Sequence, residues 1–215
     1  MLTRARVVVL ALVGLTLAAC STVHPGSAAV VDGQSISMST LDKTAAAYCT
    51  LTADAAKQQG VTSVSNSQVR RQAVVGLVSL VVARKLAETE GVQVEPSAYE
   101  LTTSQRRQLA TQFPAADAEQ LGRAIEDSQE VSAIAVALAA KDTGEQVTDD
   151  TESQLADIGQ AAILKAFGSN DVSFAPRFGL DPAGKARADT GSISETPVDL
   201  EAPVDEELPD AQRCA

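Results

Sequence analysis

Between Ala73 and Ala83 almost every residue is apolar, with only Gly76 and Ser79 interrupting the run. Val69, Ala73, Leu77, Leu80 and Val81 recur at the spacing of helix turns. A helix apolar on one stripe lies on a surface, whereas one apolar nearly all round must be covered on several sides. The stretch is too short to cross a bilayer, which takes about 20 apolar residues. It predicts a central core helix running from about Gln68 to Glu90. Ser65, Asn66 and Ser67 offer N-caps, and Gly91 offers a left-handed C-terminal stop. Arg70-Arg71 and Arg84-Lys85 bracket the apolar run and read as charged ends that keep a core helix soluble.

Other helices follow by the same signals. Ser39 with Asp42 resembles an N-cap and acidic first turn, for a helix through Leu41, Ala45, Tyr48, Cys49 and Ala55 to about Gly60. Pro96, with Ser97 and Glu100 as a capping box, starts a polar helix ending near Phe113, where Pro114 breaks it. One or two helices are expected between Ala116 and Lys141, with a stripe of Val131, Ile134, Ala135 and Leu138, stopped by Gly144. Thr151 and Gln154 suit the start of a last helix whose apolar face is Leu155, Ile158, Ala162, Ile163 and Phe167. Before the first helix, apolar residues flank Asp32-Gly33. That pattern predicts a small hairpin with a type I′ turn, or a strand ending in a turn. Residues 171–175 alternate like a short strand. The fold class is therefore mainly α with a small β element.

The N-terminus carries a different signal. Arg4 and Arg6 precede a short apolar run from Val7 to Leu17, which ends in Leu17-Ala18-Ala19-Cys20. This is a lipobox at the end of a signal peptide. Cleavage before Cys20 by signal peptidase II would follow diacylglycerol transfer to its thiol. The lipid on Cys20 would then hold the mature chain to the extracytoplasmic face of the cell membrane, each buried CH₂ contributing about 0.8 kcal/mol. Residues 21–27 read as a tether, and the only histidine, His24, reads as a solvated residue within it.

That compartment permits disulfides. With Cys20 lipidated, Cys49 and Cys214 remain as a candidate pair. Closing so large a loop contributes about 4–5 kcal/mol by chain-entropy arithmetic. Two free thiols, or pairing between molecules, are the alternatives.

Charge excludes one class of partner. The chain has 17 Lys+Arg and 28 Asp+Glu, a net charge of −11. Losing Arg4 and Arg6 with the signal makes the mature chain more acidic still. Nucleic acid is not an expected partner, because its phosphates require a basic surface. Aromatics are only 3% and Trp is absent, so the helical core is expected to be thin.

Chemistry-bearing motifs are equally scarce. No phosphate loop, dinucleotide turn or Cys-x-x-Cys is present. One tether histidine supports neither the usual zinc sites nor a Ser-His or Cys-His nucleophile pair. Asp149, Asp150 and Glu152 lack the alternation and central Gly of a calcium loop and read as an acidic helix start. The expectation is a non-enzyme with no catalytic residue, no metal site and no cofactor.

The tail from Leu180 onward changes character. Pro197-Val198-Asp199-Leu200-Glu201-Ala202 is echoed by Pro203-Val204-Asp205-Glu206-Glu207-Leu208, and no basic residue interrupts the run from Glu195 to Asp210. Such composition favours an extended, poorly packed chain. The expected organisation is a signal peptide over 1–19, a lipidated tether over 20–27, a helical domain over 28–180 and an acidic Pro-rich tail over 181–215.

The segment Ala28-Ala29-Val30-Val31-Asp32-Gly33-Gln34-Ser35-Ile36-Ser37, the helix end Leu86-Ala87-Glu88-Thr89-Glu90-Gly91 with Val92 to Pro96 after it, and the late segment from Val172 to Gly179 occur in a familiar order. In this order the mature sequence resembles the N-terminal chaperone domain of the SurA family, in lipoprotein form. The resemblance covers most of residues 28–179. It implies that the late strand returns to pair with the opening one. Related foldases insert a parvulin-type prolyl isomerase domain of about 100 residues after these helices. Between Gly144 and Asn170 this chain has room for one helix only. The resemblance thus implies an ATP-independent chaperone or holdase for unfolded or extended exported polypeptides, without prolyl isomerase activity. The alternative is a structural or interaction lipoprotein that binds one dedicated cell-envelope protein.

Overall fold

In a computed structural model the fold is described for residues 26–61, 63–187 and 209–214. The lipobox with Cys20, the tether with His24 and most of the acidic tail lie outside the described residues. The chain opens with β1 (Ser27–Val31) and β2 (Gln34–Ser37), joined by a two-residue turn. Asp32 and Gly33 both adopt positive φ, 46° and 82°, as a type I′ turn demands. Five helices follow: α1 (Met38–Gln58), α2 (Asn66–Glu90), α3 (Thr103–Gln112), α4 (Ala115–Thr143) and α5 (Glu152–Phe167). β3 (Val172–Phe174) then returns to the sheet. The fold class expected from the sequence is the one observed: mainly helical, with a small antiparallel sheet.

The sheet order is β2-β1-β3, so β1 lies in the middle. Val31 pairs with Gln34 on one side and with Val172 on the other. The opening and late strands therefore pair, as the resemblance implies. Residues 28–31 are all buried, which is why this strand is a continuous apolar run rather than an alternating one.

α2 runs through the centre, against α1, α4, α5 and β1. Its fully buried residues include Val69, Ala73, Val74, Val78, Val82 and Ala83, whereas Leu77 and Val81 are half-buried. A helix packed on several sides has no single apolar face, so the stripe chosen by spacing alone was one of several. Ser65 caps it, its Oγ accepting from Gln68 N at 3.4 Å, and Gly91 closes it at φ 63°. The core fills with Leu41, Ile134, Ile163, Phe167 and Phe178 around many alanines.

Three helix details differ from expectation. α1 is capped by Ser37, not Ser39: β2 runs straight into the helix, and Ser37 Oγ accepts from Thr40 N at 3.0 Å. Pro96 starts only a single 3₁₀ turn, Pro96–Ala98. Buried Leu101 then interrupts the chain, and the capping box belongs to Thr102 and Gln105, with bonds of 3.2 and 2.8 Å. Residues 115–143 form one helix, within the one or two expected there, with Pro114 at its N-cap. Thr151 begins α5 but does not cap it with its side chain, because its hydroxyl donates back to Gln146 O at 2.7 Å.

The fourth difference concerns α5. Its buried face is Leu155, Gly159, Ile163, Ala166 and Phe167, while Ile158 and Ala162 face outward. Gly159 sets this rotation. A Cβ built on it would lie 1.9 Å from Ala135 O and 2.6 Å from Ala135 Cα. The two helices touch backbone to backbone there, and any side chain would force them apart.

Candidate binding groove

The connection after α2, the 3₁₀ turn, the first turn of α3, the middle of α4 and the start of α5 surround an open groove of about 890 Å³. Its floor is α4, presenting Gln129, Ser132, Ala133, Val136 and Ala137. One wall carries Val94, Thr102 and Gln105, and the other carries Val147, Ser153 and Ala156. Small side chains on α4 hold the floor low. Val147 is 53% exposed, an apolar group left facing the opening. Glu95, Glu100, Asp149 and Glu152 contribute four carboxylates to the lining, which includes no Lys or Arg.

A smaller cleft of about 300 Å³ adjoins it, sharing Gln93 and Val94 and lined also by Tyr99. Its back is an ion pair between α2 and α4. Arg84 Nε donates to Glu130 Oε1 at 2.6 Å, and Nη2 donates to Oε2 at 2.5 Å. This two-pronged bond raises the Arg84 guanidinium above its usual value. Glu130 is buried, so the pair fixes how the two helices meet. Asp127 sits one turn away. Burial, opposed by Arg84 and reinforced by Glu130 and Glu126, pushes its carboxyl above the ordinary carboxylate range. Burial, and then the charge of Asp127, raises the Tyr48 phenol.

At the sheet end Asp32 does a different job. It pairs with Lys85, its Oδ1 accepts from Asp171 N at 2.8 Å, and its own N–H donates to Asp171 O at 2.9 Å. The Lys85 bond and then the Asp171 N–H hold its carboxyl below the usual value. Arg70 pairs with Asp42 at 2.6 Å. Three of the four basic residues that bracket the α2 apolar run thus have carboxylate partners, and among the described residues Arg71 has none.

Cys49, in the middle of α1, and Cys214 are joined by a disulfide, with Cα atoms 5.2 Å apart. Cys214 N donates to Val64 O at 2.8 Å, and Arg213 bridges to Ser65 as an isolated antiparallel pair. The C-terminus is therefore fastened beside the start of α2.

Among the described residues no group of three or more His, Cys, Asp or Glu is placed to hold a metal ion, and no helix is long and apolar enough to cross a membrane. Sequence reasoning passed over Glu130, the partner of Arg84. Its signal is a carboxylate directly before an apolar stripe that begins at Val131, three and four residues after Asp127 and Glu126. Comparison with known families, curated proteins and solved structures finds no match for the chain.

Proposed function

We propose that this chain is a lipid-anchored extracytoplasmic lipoprotein that holds extended exported polypeptides in the α3–α5 groove, without ATP and without prolyl isomerase activity. The observation that carries this reading is the groove itself. It is open, and lined by small apolar and polar groups with four carboxylates, a surface suited to extended chains. The four carboxylates favour segments bearing Lys or Arg, and salt weakens that preference. The lipid on Cys20 would raise the local concentration of the groove near emerging chains.

A second reading has its own support. No Met or aromatic residue lines the groove, whereas promiscuous surfaces use adaptable Met-rich contacts. A groove of this kind also suits one dedicated envelope protein.

Light scattering of several unrelated unfolding clients, titrated with the mature chain, tests both. Suppression across clients at near-stoichiometric ratios, abolished by Ser132→Trp, supports the holdase. Ser132 is exposed on the groove floor, so the substitution fills the groove and leaves the core alone. No suppression for any client overturns the holdase and favours the dedicated partner. Suppression that survives Ser132→Trp moves the activity away from the groove.

A further inference from the structure

A second pocket, of about 530 Å³, lies on the first half of α2 and shares no lining residue with the groove. Gln68, Arg71, Gln72 and Val75 form one side of it, and Leu180 and Gly184 form the other. Residues 180–186 make this second side by folding into a tight loop. Leu180 bridges to Ala186, and Asp181 Oδ1 accepts from Ala183 N and Lys185 N at 2.9 and 2.8 Å. A Cβ on Gly184 would sit 3.4 Å from Val75 and 3.6 Å from Phe167, so the loop is seated on the core.

Arg71 Nη2 is the one buried side-chain polar atom without a hydrogen-bond partner among the described residues. Arg71 itself lines the pocket, so a carboxylate seated there would meet the accessible edge of its guanidinium. Lys185 and Arg187, exposed beside the pocket, make no ion pair among the described residues either. This is a cationic patch on a chain of net charge −11.

We propose that this pocket is the docking site of the chain's own acidic segment, residues 195–208. Three observations select that occupant. Residues 188–208 carry seven carboxylates and no Lys or Arg. Both flanks of the segment are fastened beside the pocket: Arg187 N donates to Gly179 O at 2.8 Å, and Cys214 is bonded to Val64 and Cys49 next to the N-cap of α2. The dimensions also agree. From Gln68 to Ser79 the helix rises about 16 Å, and one six-residue Pro-Val-Asp repeat spans about 19 Å when extended. Each repeat offers a carboxylate to Arg71 and apolar side chains to Val75 and Leu180. A segment tethered at both ends outcompetes a free acidic peptide through its effective concentration. The proposal stands independently of what the α3–α5 groove binds.

The test uses the whole mature chain with p-benzoylphenylalanine in place of Gln72, an exposed residue of the pocket rim. After irradiation, crosslinked peptides are mapped by mass spectrometry. Crosslinks to residues 195–208 of the same molecule are expected, at a yield independent of protein concentration. Neutralising the segment (Asp199→Asn, Glu201→Gln, Asp205→Asn, Glu206→Gln, Glu207→Gln) should lower that yield about five-fold or more. Arg71→Gln should do the same, with the far-UV spectrum of the helices unchanged. Crosslinks to other segments, crosslinks between two copies, no crosslinks, or an unchanged yield in the neutralised chain would each overturn the proposal.

Discussion

The two ends of this helical domain are built to different standards. At the sheet end β1 is covered on both faces, α2 is covered on several sides, and α5 meets α4 without room for a single methyl. At the other end α3 has no fully buried residue. It is held by a capping box, by the buried plug Leu101 before it, and by an Arg106–Glu126 ion pair. The core beneath the start of α4 is a cluster of Ala47, Leu121 and Ala124. Local stability follows burial, so opening should begin at α3. The groove is walled by the first turn of that same helix. One wall of the binding surface thus coincides with the weakest attachment, while its floor and other wall, on α4 and α5, belong to the tightly packed part.

Two glycines offer the sharpest way to break this comparison. Gly159→Ala should cost more than about 4 kcal/mol and abolish a cooperative thermal transition, because the new methyl collides with Ala135 backbone that cannot yield. The same change at Gly122 meets Leu101 Cδ1 at 3.6 Å and Leu109 Cδ1 at 3.9 Å, both ordinary contacts with side-chain ends. Helix propensity should dominate there, making the protein more stable by up to about 1 kcal/mol. Equal effects at both sites would erase the contrast.

An effect of comparable size belongs to the disulfide. Replacing Cys214 by Ser should remove about 5 kcal/mol by chain-entropy arithmetic for a separation of 165 residues, read as a lowered denaturation midpoint in urea. Smaller again is Thr102→Ala, which removes one half of the α3 capping box. A loss of about 1 kcal/mol is expected, visible as faster hydrogen exchange in residues 103–112 and unchanged exchange in α2.

The pH profile separates the ends by sign. Asp32 has a lowered carboxyl, so its contribution is present above the unfolded value near 3.8 and is lost as pH falls through the folded value. Asp127 has a raised carboxyl, so its charge opposes folding at neutral pH, and this cost is relieved as pH falls through its folded value. Asp32→Asn should therefore lower stability at pH 7 and converge with the parent in acid. Asp127→Asn should raise stability at pH 7. Thermal melts across pH 3–7 for both variants check the two signs together.

Much of this architecture is legible in residue order. The Asp32-Gly33 hairpin, the core helix stopped by Gly91 and the break at Gly144 each rest on a local rule that a single residue type enforces. What escapes is set by partners far along the chain. The rotation of α5 depends on Ala135, which lets Gly159 approach. The break before α3 depends on Leu101 being drawn under α4. Arg84 reads as a solubilising end until Glu130 arrives from 46 residues away. The candidate groove was not legible at all, because a depression is a property of spacing between helices and leaves no motif behind.

The middle position of β1 also has a consequence in time. Its hairpin partner is adjacent, but Asp171, which closes its other edge, lies 139 residues downstream. During N-to-C emergence β1 and β2 are available at once, as a two-stranded ribbon too small to be stable alone. The helices can close their local contacts while the second edge of β1 waits for nearly the whole domain. Such long-range closure is slow. Joining β3 to β1 is accordingly expected late in folding, and an apolar strand with an open edge is open to misassociation until then.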